Sequence, residues 1–271
     1  RVPRRTQQKR PVCTHMTPTL CARFRECPHA STSQPYTEHG RAPHRRGRSC
    51  GRRTPVPPGC VMPVAVELAT LSLLPLTRWP RVACDLRRGV SPRHILTEHC
   101  AEGAGLPRRP AWTDPGQLLT RAARALAEAG ALNLDAVGWG DPHYPALLRE
   151  IADPPPVLWV SGEPRRLHEP SVALVGSRAA TSYALTVAER LAADLSAAGV
   201  AVVSGLARGV DAAAHRGALS GSGGTVAVLG CGADVIYPAE HRDLAAAVQA
   251  NGAIVSEFLP GTWPRPEFFP R

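Results

Sequence analysis

The sequence predicts an α/β fold: a doubly wound parallel sheet over residues 141–271, preceded by a small helical domain over residues 61–140. Three observations predict it. From Ser171 onward, short apolar runs ("SVALVGS", "VAVVSG", "GTVAVLG", "AIVSE") alternate with helix-length segments. The runs are nearly continuous in apolar residues, as strands covered on both faces require. Upstream of Asn133, apolar residues recur at helical rather than strand spacing.

Residues 1–60 stand apart. They hold 13 Lys+Arg against 2 Asp+Glu, whereas residues 61–271 hold 19 against 20. The formal charge of +10 therefore belongs to the first sixty residues, and the remainder is close to neutral. This segment has no periodic apolar positions, so it cannot bury enough surface to offset its chain entropy. It reads as a disordered basic extension. A basic arm holding nucleic acid by charge is the alternative. Composition changes abruptly at Val61-Met62, either of which could be the natural start. One lysine against 31 arginines, with abundant alanine, suggests a GC-rich bacterial source.

In the helical domain, Val66, Leu68, Leu71, Leu74 and Leu76 form an apolar stretch that Trp79-Pro80 is expected to end. Ser91-Pro92 and Asp114-Pro115 read as helix starts, each pairing a capping side chain with proline at the first helical position. Leu118, Leu119, Ala122, Ala125, Leu126 and Ala129 follow at 3.6-residue spacing, and Gly130 closes the run. A strand-like pattern over 132–139, a short helix over 144–151 and a strand over 157–160 lead into the α/β part. Helices are then expected near Thr181, over 209–219 and over 240–250.

Several function classes are excluded by what the spacing lacks. The early cysteines, Cys13, Cys21, Cys27, Cys50 and Cys60, contain no CxxC pair, so no metal site is expected. No apolar run is long enough to span a membrane, and the protein is expected to be cytoplasmic. There is no GxGxxG after the first strand and no GxxxxGK[ST]. A dinucleotide dehydrogenase and a P-loop ATPase are disfavoured, and no cofactor is expected.

Ligands of such sheets bind at loops beyond the carboxyl ends of the strands. The first loop is Gly176-Ser177-Arg178, a close-approach residue, a donor and a planar phosphate fork ahead of a helix start. The second, "SGLARGVDAAAH", carries Ser204, Gly205, Arg208 and Gly209, with Asp211 and His215 four apart on one helix face. Their spacing suits a structural pair. A catalytic acid and base would need a nucleophile or metal that the sequence does not supply. The third holds Cys231 between two glycines, where a small buried filler fits better than a nucleophile. The fourth, "FLPGTWPRPEFFPR", interleaves Trp263, Phe268 and Phe269 with Arg265 and Arg271, a combination suited to unstacked bases and phosphates. Core packing of those rings is the alternative.

In sequence and order, "YPALLREIADPPPVLWVSG", "VALVGSR", "VVSGLARGVDAAAH", "AVLGCGADVIYPAEHRDL" and "GAIVSEFLPGTWPRPEFFPR" resemble the bacterial DNA-processing protein A family (DprA, also called Smf). The likeness covers about 141–271, and the helical segment fits that family's N-terminal domain more loosely. It implies an extended Rossmann-like domain that binds and protects single-stranded DNA in natural transformation and loads the RecA recombinase. It implies a homodimer and no enzymatic activity. By motif position, Gly176, Ser177, Arg178, Ser204, Gly205, Arg208, Gly209, Arg265, Phe268, Phe269 and Arg271 would line the DNA. The family's run continues past "FFPR", so the resemblance implies a sheet truncated at the C-terminus, with its last strand an unpaired edge. A nucleotide-processing enzyme of the phosphoribohydrolase kind, on a related scaffold, is the rival function. Its PGGxGTxxE block is not found.

Overall fold

A computed structural model describes residues 63–105 and 110–269. The basic extension and the five early cysteines lie outside the described residues, as does Arg271. Four helices come first: α1 (Pro63–Leu71), α2 (Trp79–Arg87), α3 (Pro92–Ala104) and α4 (Pro115–Ala131). The expected starts are present. Ser91 caps α3 through the His94 N–H, and Asp114 caps α4 through the N–H groups of Gly116 and Gln117 at 2.9 and 3.1 Å. Trp79-Pro80, expected to end the apolar stretch, instead opens α2. Proline in a first helical turn costs no hydrogen bond, because the N–H it lacks has no intrahelical acceptor there.

A six-stranded sheet follows, in the order β1-β2-β6-β5-β4-β3. Its strands are β1 (Asp135–Gly138), β2 (Val157–Gly162), β3 (Ser171–Ala173), β4 (Ala201–Ser204), β5 (Thr225–Leu229) and β6 (Ala253–Ser256). Strands β3 to β6 are mutually parallel. The two earliest strands run antiparallel, β1 to β2 and β2 to β6, so the sheet is mixed rather than wholly parallel. It also begins at Asp135, within the stretch assigned to the helical domain. The architecture is α/β and Rossmann-like.

Helices α6 (Ser182–Ala197), α7 (Val210–Ala218) and α8 (Arg242–Asn251) cover the sheet face that carries Val202, Ala227 and Ile254. Small residues set their spacing: Ala192 of α6 meets Ala214 and Ala218 of α7 over Val202. The same face continues into the helical part, where Trp159, Leu118, Ile95 and Leu71 share one core. The opposite face, with Val137, Leu158, Val160, Val226 and Val255, is covered by Tyr144, Leu148 and Leu167. Helix α5 (Ala146–Arg149) is shorter than the expected 144–151. Tyr144 is drawn into that core, its hydroxyl donating to the Pro155 carbonyl at 2.7 Å.

Two expectations about edges are corrected. The run "SVALVGS" reads as covered on both faces, yet all three residues of β3 are exposed, Val172 at 41%, and Val175 beyond it is 74% exposed. It lies at the end of the sheet with only β4 beside it. Nor is the last strand an unpaired edge. Strand β6 is buried between β2 and β5, because β2 returns antiparallel to cover its far side.

Candidate nucleic-acid interface

The loops that follow β3, β4, β5 and β6 converge at one end of the sheet, and backbone geometry welds the first two together. The Ser204 hydroxyl donates to the Leu174 carbonyl at 2.7 Å, and the Val210 N–H donates to the Ser177 carbonyl at 3.2 Å. Gly209 has φ +78° and lies so close to Ser177 and Arg178 that a Cβ there would collide with the Ser177 carbonyl oxygen. Gly176 faces Val210 across the same seam. Leu206, three residues before Gly209, also has positive φ (+56°) and is fully buried in the main core. A leucine in that region is strained, and its burial is what holds it.

Gly176, Ser177 and Arg178 are exposed on this platform. The Ser177 hydroxyl accepts from the Ala179 N–H at 3.1 Å, and Thr181 caps α6 through the Ala184 N–H at 3.2 Å. Arg178 has no carboxylate partner among the described residues. Its guanidinium lies over the Phe269 ring, 5.2 Å from the centroid. Phe269 in turn meets the Tyr237 ring at 5.8 Å. Arg178, Phe269 and Tyr237 thus form one column built from three loops. Phe268 stacks on Phe258 at 4.3 Å, with Arg265 5.8 Å from its centroid. Trp263 is 75% exposed, and Tyr183 at the start of α6 is also exposed.

Not every residue named from the motifs faces this surface. Ser204 is buried and its hydroxyl is spent on Leu174, so it ties the strand ends together rather than lining the surface. Gly205 turns its N–H to the Asp211 carboxylate at 3.2 Å. Phe269 is half-buried beneath Arg178, so it braces the arginine from one side. Arg208 is exposed but held by Glu240, with Nη2 3.0 Å from Oε2 and Nε on the second oxygen. That hydrogen bond keeps the Glu240 carboxyl below the usual carboxylate range.

The expected pairing of Asp211 with His215 is absent. Asp211 serves the Gly205 N–H, while His215 is fully buried with Nδ1 2.7 Å from the Thr225 hydroxyl. Burial, together with His241, lowers its pKa to about 4. Cys231 is buried, its thiol 3.0 Å from the Val235 carbonyl, and burial with Asp234 pushes it up to about 11. A thiol so placed is a poor nucleophile. Two participants were missed by sequence reasoning. Tyr237 stood in a matched block as part of "YP", which was a usable signal. Glu240 gave none, since it lies 32 residues from Arg208.

A model of the DNA recombination-mediator protein A family matches residues 135–271. The putative DNA processing protein DprA of Mycobacterium tuberculosis is 48% identical over 122 residues, which are 44% of this chain and 31% of that protein. Protein Smf of Synechocystis is 41% identical over 134 residues, 48% of this chain and 34% of that one. The chain therefore spans about a third of the length of these curated relatives. Among solved structures, that of DNA processing protein A (DprA) from Streptococcus pneumoniae superposes with a TM-score of 0.60 at 28% identity. The overlap covers 76% of this chain and 71% of that one. Among the described residues, no helix is long and apolar enough to cross a membrane.

Proposed function

The chain belongs to the DNA recombination-mediator protein A family, and we propose that it binds single-stranded DNA across the loops at the ends of β3 to β6. The observation that carries this is the Arg178 column. An exposed guanidinium, with no carboxylate partner among the described residues, is preset on an aromatic ring just ahead of a helix whose first N–H groups favour anions. The same set of loops, with the first turn of α6, also carries the exposed rings of Tyr237, Trp263 and Tyr183 and the exposed guanidinium of Arg265. Phosphates would be met by Arg178, Arg208 and Arg265 and by the backbone of 176–178 and 209, and unstacked bases by the rings. Such a surface grips a strand without reading base edges. Arg271 extends the basic run beyond the described residues.

Relatives named as DNA processing proteins support a wider reading of the same kind. It comprises protection of incoming DNA in natural transformation, loading of RecA, homodimerisation and work in the cytoplasm. The role is binding rather than catalysis. The two side chains nearest to a catalytic set, Cys231 and His215, are buried, and each is held in its neutral form.

Binding of labelled oligothymidylate and of duplex to the full chain across a salt series tests this. The expected result is preference for the single strand. Arg178→Ala is expected to weaken it about tenfold and to lower the salt slope by about one unit, as loss of one phosphate contact should. Equal affinity for duplex, with Arg178→Ala silent, would sink the proposal. Release of free base from nucleoside monophosphates would put the phosphoribohydrolase reading in its place.

A further inference from the structure

Arg208 and Glu240 form a two-pronged pair at the edge of the Arg178 platform, and both ends are solvent-exposed, at 64% and 52%. The carboxylate occupies the geometry that a phosphodiester oxygen pair would take on a guanidinium. We infer that Glu240 is a built-in competitor for phosphate at Arg208, which makes this arginine available to a polynucleotide strand but not to small free anions. The inference rests on the single-strand-binding reading of these loops.

Glu240 is held in place from both sides. Three residues before it, Tyr237 packs on Phe269, which carries Arg178. One residue after it, the His241 ring nitrogen Nδ1 donates to the Leu206 carbonyl at 2.8 Å. The segment 237–241 therefore grips the loop that carries Arg208 and the column that carries Arg178 at once. An exposed ion pair is weak enough to be exchanged. A free phosphate meets it with no other attachment, and competes with a carboxylate tethered at high effective concentration. A strand already held at Arg178 and stacked on the rings brings its next phosphate to Arg208 at an effective concentration of its own. Glu240 thus sets the preference for a polymer over its monomers.

The full chain is tested with oligothymidylate and with inorganic phosphate. Glu240→Gln is expected to tighten oligothymidylate binding about two- to fivefold, the range set by an exposed pair. The gain should vanish in an Arg208→Ala background, since the two substitutions act on one interaction. Inorganic phosphate is expected to bind Glu240→Gln measurably more tightly than the wild type, and the Arg208→Ala double variant no more tightly. In the wild type, the carboxyl resonance of Glu240 should titrate nearer the ordinary range once oligothymidylate is bound. Unchanged or weaker oligothymidylate binding by Glu240→Gln would overturn the inference, as would a Glu240 titration indifferent to bound DNA. Failure of the wild type to bind oligothymidylate would overturn the strand-binding reading instead. The phosphate comparison would then still decide the role of Glu240.

Discussion

Gly209→Ala is expected to cost about 3 kcal/mol or more of stability, or to dismantle the DNA platform if the loop yields first. Gly209 has φ +78° and ψ −128°, a combination essentially closed to residues with a Cβ, and such strain costs on the order of 1–3 kcal/mol. A second cost adds to it. The new methyl would overlap the Ser177 carbonyl oxygen and crowd the Arg178 carbonyl, both backbone atoms with no rotamer to change. Relief requires the 176–178 loop to move as a unit, and Arg178 moves with it. Gly199 supplies the control, with the same φ of +78° but open space where a Cβ would stand. Gly199→Ala is expected to cost only about 1 kcal/mol, the ordinary penalty for a left-handed residue closing a helix. Urea unfolding of both variants, with oligothymidylate binding by the folded fraction, separates strain from collision. If Gly209→Ala costs no more than Gly199→Ala and binds DNA normally, the welded seam is not what positions Arg178.

Much of this arrangement is legible in the sequence where the cause is local. Caps at Ser91, Asp114 and Thr181 depend on residues within three positions, so the helices they open are visible without a structure. The strands of the parallel part are visible because their apolar runs are short and bounded by glycine. Strand order is not, since nothing in "SVALVGS" says that it stands at the end of the sheet with one neighbour. Nor does anything in "VLWVSG" say that it returns antiparallel to bury β6. The site divides the same way. Gly209 and Arg178 follow from loop chemistry, but the state of Arg208 depends on Glu240, which reaches it only through the β5–α8 connection. Helical spacing misled at Asp211 and His215. The i,i+4 rule describes an exposed helix face, and this face is buried, so each side chain bonds to whatever lies over it: a loop N–H for one, a strand hydroxyl for the other.

The buried histidine carries the second large effect, an early loss of stability in mild acid. The pKa of His215 is lowered from 6.5 to about 4, first by burial and then by His241. The unfolded chain would take up a proton at this residue as pH falls through 6.5, while the folded protein would resist until about 4. Between those values the unfolded state binds more protons, so stability falls with falling pH. A shift of this size corresponds to about 3 kcal/mol, complete near pH 4, and burial leaves no solvent to screen it. His99 in the helical part is also buried and shifted downward, first by desolvation and then by Arg78, so its contribution has the same sign. The exposed carboxylates Glu102 and Glu240, held low by their arginines, act only at the acid end of this window. Acid sensitivity should therefore begin where histidines titrate, above the range where carboxylates do. Urea midpoints measured from pH 7 down to pH 4, with the histidine ring resonances followed in the folded protein, test this directly. A flat stability profile above pH 5 would refute it, and so would a His215 ring that titrates near 6.5 while the protein stays folded. Because His215 braces Thr225, whose hydroxyl also donates to the Val202 carbonyl at 2.7 Å, its protonation would strike the β4–β5 seam where β5 begins. DNA binding is therefore expected to fail in acid together with the fold, not ahead of it.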